Sequence, residues 1–278
     1  MLSLAVDYIP LLKGVSRNMA RKQSRHHRWR WRLLLILFLL LAGSYWVWWQ
    51  LGSRRIHAQT YRQTSIVTVF VPGYASNGLT FGPMVTRFKQ DRASNQVTTI
   101  TISATGNRTI TGANRYTGKN PLVNVVFEDA KAPEKETRQL TALLHWLRAK
   151  HNVTKINLVG HSMGSNLSFR YLTTHHPDAQ PHVVKYVSLG SEFYRDPTPQ
   201  LQQFPKSVQT LVIGGQIFGA SGDWAVSIAG VKRFEKALRA ANIPSTLYIY
   251  HGTPLGAYHS SLHQNPYVDA RILAFLFT

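Results

Sequence analysis

"INLVGHSMGSNLSFRYL", residues 156–172, runs from apolar residues into Gly160, then His161, Ser162, Met163 and Gly164, and then into a helical pattern. Gly-x-Ser-x-Gly between a strand and a helix marks a nucleophile elbow. The turn is strained, it lifts the serine hydroxyl clear of the sheet, and it brings strand and helix too close for side chains at the flanking positions. The bare pattern would arise by accident in roughly one chain of this composition in ten, so the reading depends on context and on partners elsewhere.

An elbow serine needs a histidine to take its proton and an acid to orient the imidazole. In chain order these follow as serine, acid, histidine, on loops after later strands. Asp223 sits in "QIFGASGDWAVSIAG" (216–230), after a β-rich run at 208–215, and His259 sits in "GTPLGAYHSSLHQNPYV" (252–268), after the last β-rich run. Glu192 and Asp196 compete with Asp223, and His251 and His263 compete with His259; strand position favours Asp223 and His259. An oxyanion hole would combine the backbone N–H of Met163 with that of Tyr74 or Ala75 in "FVPGYASNGLTFGPMV" (70–85). Pro72 has no N–H to offer.

Working outward, short β-rich runs alternate with helical patterns from Ser65 to the end. This predicts an α/β fold with a mostly parallel central sheet flanked by helices. Strands are expected at 65–71, 97–103, 122–128, 155–160, 183–190, 208–215 and 245–251. Helices are expected at 134–152, from Ser162 to His175, at roughly 225–241, and over the terminal "PYVDARILAFLFT". Leu140, Leu143, Leu144 and Leu147 fall on one helical face.

The chain has no cysteine, which excludes disulfides, thiolate metal sites and a cysteine nucleophile. Its net charge is +20; residues 1–32 hold eight Lys/Arg against Asp7, a net +7, and the remaining residues carry +13. No groove-binding motif, zinc spacing or RNA-binding aromatic pattern accompanies that charge, so nucleic acid is not an expected partner, while an anionic cell-wall polymer is a candidate. From Leu33 to Leu51 nineteen residues carry no charge, close to the ~20 needed to span a bilayer. The basic run before them and Trp46, Trp48 and Trp49 at the far end predict an uncleaved signal-anchor with a cytoplasmic N-terminus and an extracellular body. A cleaved signal peptide is the alternative, with "AGS" at 42–44 as its cleavage site. Translation could start at Met1 or Met19. The expected organisation is a basic cytoplasmic segment (1–32), a transmembrane helix (33–51), a polar stalk (52–64) and the α/β domain (65–278).

Over residues 65–278 the chain resembles α/β-hydrolases of an uncharacterised cell-surface hydrolase family of Gram-positive, lactic-acid bacteria. The resemblance rests on "VFVPGYASNGLTFGPM", "NPLVNVVFED", "GHSMG", "SGDWAVSIA" and "HSSLHQNPYV". It implies Ser162 as nucleophile, Asp223 as acid and His259 as base, with no metal or organic cofactor, acting on carboxylic esters of a small molecule or lipid. Two positions depart from the family pattern: Pro72 stands where histidine is usual, and Trp224 where the acid is usually followed by glycine. The short run at 191–207 predicts no large lid. Two other readings share these residues, an idle hydrolase fold that binds at the cell surface and an acyltransferase or thioesterase on the same triad.

Overall fold

The computed structural model describes residues 9–176, 179–193 and 196–278, with side chains from residue 29 onward. The chain divides into two compact units between Leu51 and Gly52. One helix, α1 (Ile9–His57), makes up the described part of the first unit. Every side chain from Trp29 to Val47 is exposed, and the segment contains an 18-residue window of mean hydropathy 1.7 with none of it buried. At about 1.5 Å per residue the uncharged stretch 33–51 extends about 28 Å, close to the ~30 Å thickness of a hydrocarbon layer. Tyr45, Trp48 and Trp49 cluster at its end, with ring centroids 5.5 to 6.3 Å apart.

The second unit is built on eight strands: β1 (Val67–Val71), β2 (Val97–Ile102), β3 (Arg108–Gly112), β4 (Leu122–Phe127), β5 (Lys155–His161), β6 (His182–Leu189), β7 (Gln209–Ile217) and β8 (Ser245–Gly252). They form one sheet in the order β3-β2-β4-β1-β5-β6-β7-β8, parallel except for the β2–β3 hairpin. The helices of this unit are α2 (Gly82–Gln90), α3 (Pro133–His151), α4 (Met163–Leu172), α5 (Thr198–Leu201), α6 (Ile228–Ala240), α7 (Pro254–Ala257) and α8 (Pro266–Phe277), with a 3-10 turn at His259–Gln264.

Alternation along the strands sorts the core into two layers. Val67, Val69 and Val71 of β1 face the side covered by α3, α4 and α6, where Leu140, Leu143, Leu144 and Leu147 are all fully buried as the helical spacing predicted. Phe70 faces the other side, against Phe81 and against Phe88 of α2, beside α8. β1 pairs with β4 on one edge and β5 on the other (Thr68 with Leu122, Val67 with Ile156). The chain leaves β1 toward one edge of the sheet and β5 toward the other, so a crevice opens between their carboxyl ends, where open α/β sheets bind ligands.

β3 and α2 have no counterpart in the sequence reading, nor do the short α5, α7 and the 3-10 turn. β3 is an edge strand with an exposed, intermediate or polar residue at every position, so it carries no alternating pattern to find. α2 begins within the run 70–85 read as a loop and continues past it; Pro83 lies in its first turn, and Met84, Val85 and Phe88 are its buried face. The segment read as a polar stalk also differs. Residues 52–57 are helical, Ile56 is 1% exposed, the Gln59 side chain donates to Ala270 O at 3.1 Å, and the Arg62 N–H donates to Phe277 O at 2.7 Å. One buried isoleucine among polar residues has no period, so the sequence does not reveal that this stretch packs on the body.

Candidate active site

Ser162 links β5 to α4 with φ 53° and ψ −123°, a conformation that costs a non-glycine residue free energy and persists only where the surroundings enforce it. The surroundings are the two glycines. A Cβ on Gly164 would lie 2.0 Å from Val71 O and 2.5 Å from Pro72 O, and one on Gly160 would lie 2.5 Å from the Ser165 nitrogen. The turn is therefore pressed against the end of β1. The Ser162 N–H donates to Leu189 O at 2.9 Å, pinning it to β6 as well.

Asp223 lies in the loop after β7 and is 1% exposed. One carboxylate oxygen accepts the N–H groups of Ala225 (2.9 Å) and Val226 (2.7 Å). The other accepts from His259 Nδ1 at 2.9 Å. The His259 N–H also donates to Asp223 O at 3.1 Å, so main chain and side chain both join the two loops. With Nδ1–H committed to the carboxylate, the neutral ring keeps its lone pair on Nε2. Gly190 leaves room for the ring: its missing Cβ would sit 3.5 Å from His259 Nδ1 and 3.0 Å from Leu262 Cδ1. The rival acids are placed otherwise. Glu192 accepts from Ser227 Oγ at 2.7 Å near the start of α6, and Asp196 accepts from Thr198 on an exposed turn.

Ser162 and His259 open onto one cavity of about 180 Å³, with Tyr74, Ala75, Asn77 and His263 also on its wall. A larger cavity of about 600 Å³ lies on α3, walled by Arg138, His145 and Trp146; it contains none of these groups. The buried acid, the ordered imidazole and the strained serine decide for the smaller one.

Of the three oxyanion candidates, Ala75 drops out. Its N–H donates to Ala130 O at 2.6 Å, a bond that holds the loop to the end of β4 while Ala75 adopts φ 51°. The N–H groups of Tyr74 and Met163 have no partner among the described residues. Met163 is the first residue of α4, where N–H groups have no intrahelical acceptor.

Of the groups that support His259, the sequence offered His263 only as a rival base and did not single out His161 or Arg87. The His161 ring contacts both others, with centroids 4.7 Å from His259 and 4.9 Å from His263. The His161 Nε2–H donates to His259 O at 3.1 Å. Burial pushes the His161 pKa well below the usual histidine value, helped by His263 and His259. Burial, then the Arg87 cation, lowers His263 to about 4. Both rings are therefore neutral near pH 7. Arg87 on α2 donates to Asp269 Oδ2 (2.7 Å), Gln264 Oε1 (3.2 Å) and His263 O (3.1 Å), clamping the 3-10 turn that carries His259. Among the described residues no group of three or more His, Cys, Asp or Glu side chains is arranged to hold a metal ion. His161 lay inside the elbow motif and could have been weighed; nothing in the pattern marks Arg87, far away in sequence.

Trp224 adopts φ 72°. That left-handed conformation favours glycine and makes tryptophan here a strained choice.

Residues 55–199 match the model of a family described as alpha/beta hydrolase of unknown function, DUF915. Among solved structures, a Listeria innocua protein superposes with a TM-score of 0.65 at 21% identity, covering 76% of this chain and 93% of that one. A Lactobacillus plantarum protein described as a cell surface hydrolase superposes at 0.59 with 16% identity, covering 78% and 91%. A Pyrococcus furiosus esterase superposes at 0.50 with 15% identity, covering 77% and 80%. No curated protein matches the sequence.

Proposed function

The chain belongs to that α/β-hydrolase family, and from this premise we propose that it is a membrane-anchored serine hydrolase that cleaves carboxylic esters outside the cell. The observation that carries this reading is the Asp223–His259 hydrogen bond of 2.9 Å on a ring that shares its cavity with a strained Ser162.

In this mechanism His259 Nε2 takes the Ser162 hydroxyl proton as Oγ attacks the ester carbonyl, and Asp223 stabilises the imidazolium that forms. The N–H groups of Met163 and Tyr74 receive the oxyanion. Collapse of the tetrahedral intermediate sends the proton from His259 to the departing alkoxide and leaves an acyl-serine. Water, deprotonated by His259, then attacks the acyl carbon, and the acid and free serine are released. The fold shared with an esterase is consistent with this chemistry. The location rests on the uncharged stretch 33–51 behind a basic segment, which favours a cytoplasmic N-terminus.

The test is full-length protein in membranes, wild type and Ser162→Ala, exposed to a fluorophosphonate probe and to aryl esters. Labelling and turnover should both vanish in the variant. A wild-type protein that is folded by circular dichroism yet gives neither would overturn the proposal. Protease added outside intact cells should reach the body; a body protected there would overturn the topology.

A further inference from the structure

Six large hydrophobic side chains are exposed in the body among its described residues: Tyr74, Leu79, Phe218, Trp224, Leu255 and Tyr258, from 41% for Tyr258 to 72% for Leu79. All six lie on the three connections that follow β1, β7 and β8, Leu255 within α7, and these connections supply Tyr74, Asp223 and His259 to the candidate active site. Residues 72–81, 218–227 and 253–264 contain no lysine, arginine or glutamate, and their one aspartate is the buried Asp223. In a body of net charge +13 that is a concentrated apolar, uncharged collar. Scattered exposed apolar residues need no explanation, but a collected patch marks a docking surface.

We propose that this collar docks on a lipid–water interface and that the ester cleaved is carried by an amphiphile in that interface. The substrate part rests on the serine-hydrolase reading; the docking part does not. Two observations choose lipid over a protein partner. Four of the six side chains are aromatic, two of them tyrosine and one tryptophan, the types that settle at the headgroup level. Trp224 and Tyr258 stand 5.9 Å apart across two loops, and Trp224 holds its place at a position whose φ favours glycine.

The cavity agrees with such a substrate. At about 180 Å³ it falls below the ~300 Å³ at which pockets begin to enclose drug-sized ligands. It can hold the ester and its nearest carbons, and the apolar collar is left to face the rest of a chain still in the lipid. The loop after β4, which carries Glu128, Asp129 and Lys131, is joined to the first loop of the collar by the bond from Ala75 N–H to Ala130 O.

Because the chain has no cysteine, single nitroxide labels can be placed cleanly. Full-length Ser162→Ala protein carrying Leu79→Cys, Leu255→Cys or, as a control before β7 at the other end of the sheet, Ser207→Cys is reconstituted in phosphatidylcholine bilayers. A zwitterionic lipid removes simple attraction to the basic surface. Collision with oxygen should exceed collision with a water-soluble nickel complex at Leu79 and Leu255, and the order should reverse at Ser207. Rim labels as water-exposed as the Ser207 label would overturn the proposal. So would rim labels immobilised and shielded from both reagents, the pattern of a protein partner. In active protein, Leu79→Asp with Leu255→Asp should lower the ratio of bilayer-ester to soluble-ester turnover at least about tenfold; an unchanged ratio in a folded variant would overturn the substrate assignment. Labels that insert while wild-type protein cleaves neither ester would refute the hydrolase reading and leave the docking intact.

Discussion

Replacing Arg87 with methionine should destabilise the body by about 3 kcal/mol at pH 7 and by about 2 kcal/mol or less at pH 5. Part of the loss does not depend on pH: bonds to Gln264 Oε1 and His263 O disappear, at about 1 kcal/mol each. The rest is the ion pair with Asp269. Burial raises the Asp269 pKa from 3.8 to about 6 even with Arg87 beside it, and Arg87 is what opposes the rise. Because the folded pKa lies above the unfolded one, the stability due to this group is full below about pH 4, declines as pH rises toward 6, and levels off above. Without Arg87 the pKa climbs further, and at pH 7 Asp269 takes up a proton instead of standing charged and unpaired. Proton uptake caps the added cost at about 1 kcal/mol at pH 7, and at pH 5, where the carboxyl is already mostly protonated, almost nothing is added. His263 acts in the same direction, since removing Arg87 lets its depressed pKa recover. The assay is urea unfolding of the full chain in detergent at both pH values, followed by near-UV circular dichroism. Equal losses at pH 5 and pH 7 would refute the charge argument, and a loss below about 1 kcal/mol at pH 7 would refute the clamp itself.

Three further outcomes are expected. Gly164→Ala should leave the body unfolded or cost at least about 3 kcal/mol, because its Cβ meets backbone at 2.0 Å and backbone cannot yield as a side chain can; Gly73→Ala, with its nearest contacts at 3.1 Å, should stay folded, and thermal melts separate the two. Trp224→Gly should raise stability by about 0.5 kcal/mol, the relief of a left-handed tryptophan less the entropy glycine adds to the unfolded chain, and a clear loss in a denaturant melt would contradict this. His161→Phe should slow fluorophosphonate labelling, because His259 O loses its donor, and His161→Gln should restore part of the rate; equal rates in both variants would show that His161 acts only by filling space.

Legibility in the sequence followed the physical source of each feature. The strands β1, β4, β5 and β7 are buried along most of their length, so they read as apolar runs, and α3 read from its leucines. β3 did not, because an exposed edge hairpin buries nothing that would impose alternation. At the site, the elbow was legible because a close backbone approach must be written in glycine. Asp223 and His259 were legible from chain order, and the structure brings them into hydrogen-bond contact. Ala75 was not separable from Tyr74, since its bond to Ala130 O joins loops 55 residues apart. Arg87 and Asp269 are invisible for the same reason: an ion pair across two helices has no period and no motif. The collar was equally hidden, because composition counts Leu79 and Trp224 as hydrophobic whichever way they face.

The two halves of the site are fixed by different forces. Ser162 is held by collisions: without Gly160 and Gly164 the backbone cannot take its path. His259 is held by bonds and packing that can weaken by degrees, namely Asp223, His161, Leu262 beneath Gly190, and Arg87 through the turn. Changes at the elbow should therefore cost the fold, while changes around the histidine turn should leave a folded protein of graded activity. Acid acts on the second half first. His161 and His263 are held neutral by burial, so the stability they supply is complete above about pH 6.5 and is lost as pH falls toward their folded values. Asp269 runs the other way, gaining stability as pH falls from about 6 to about 4. The two trends oppose one another over that interval, and below it Asp269 has nothing more to give while buried imidazoles must still be charged. The turn that presents His259 should loosen there before the elbow does.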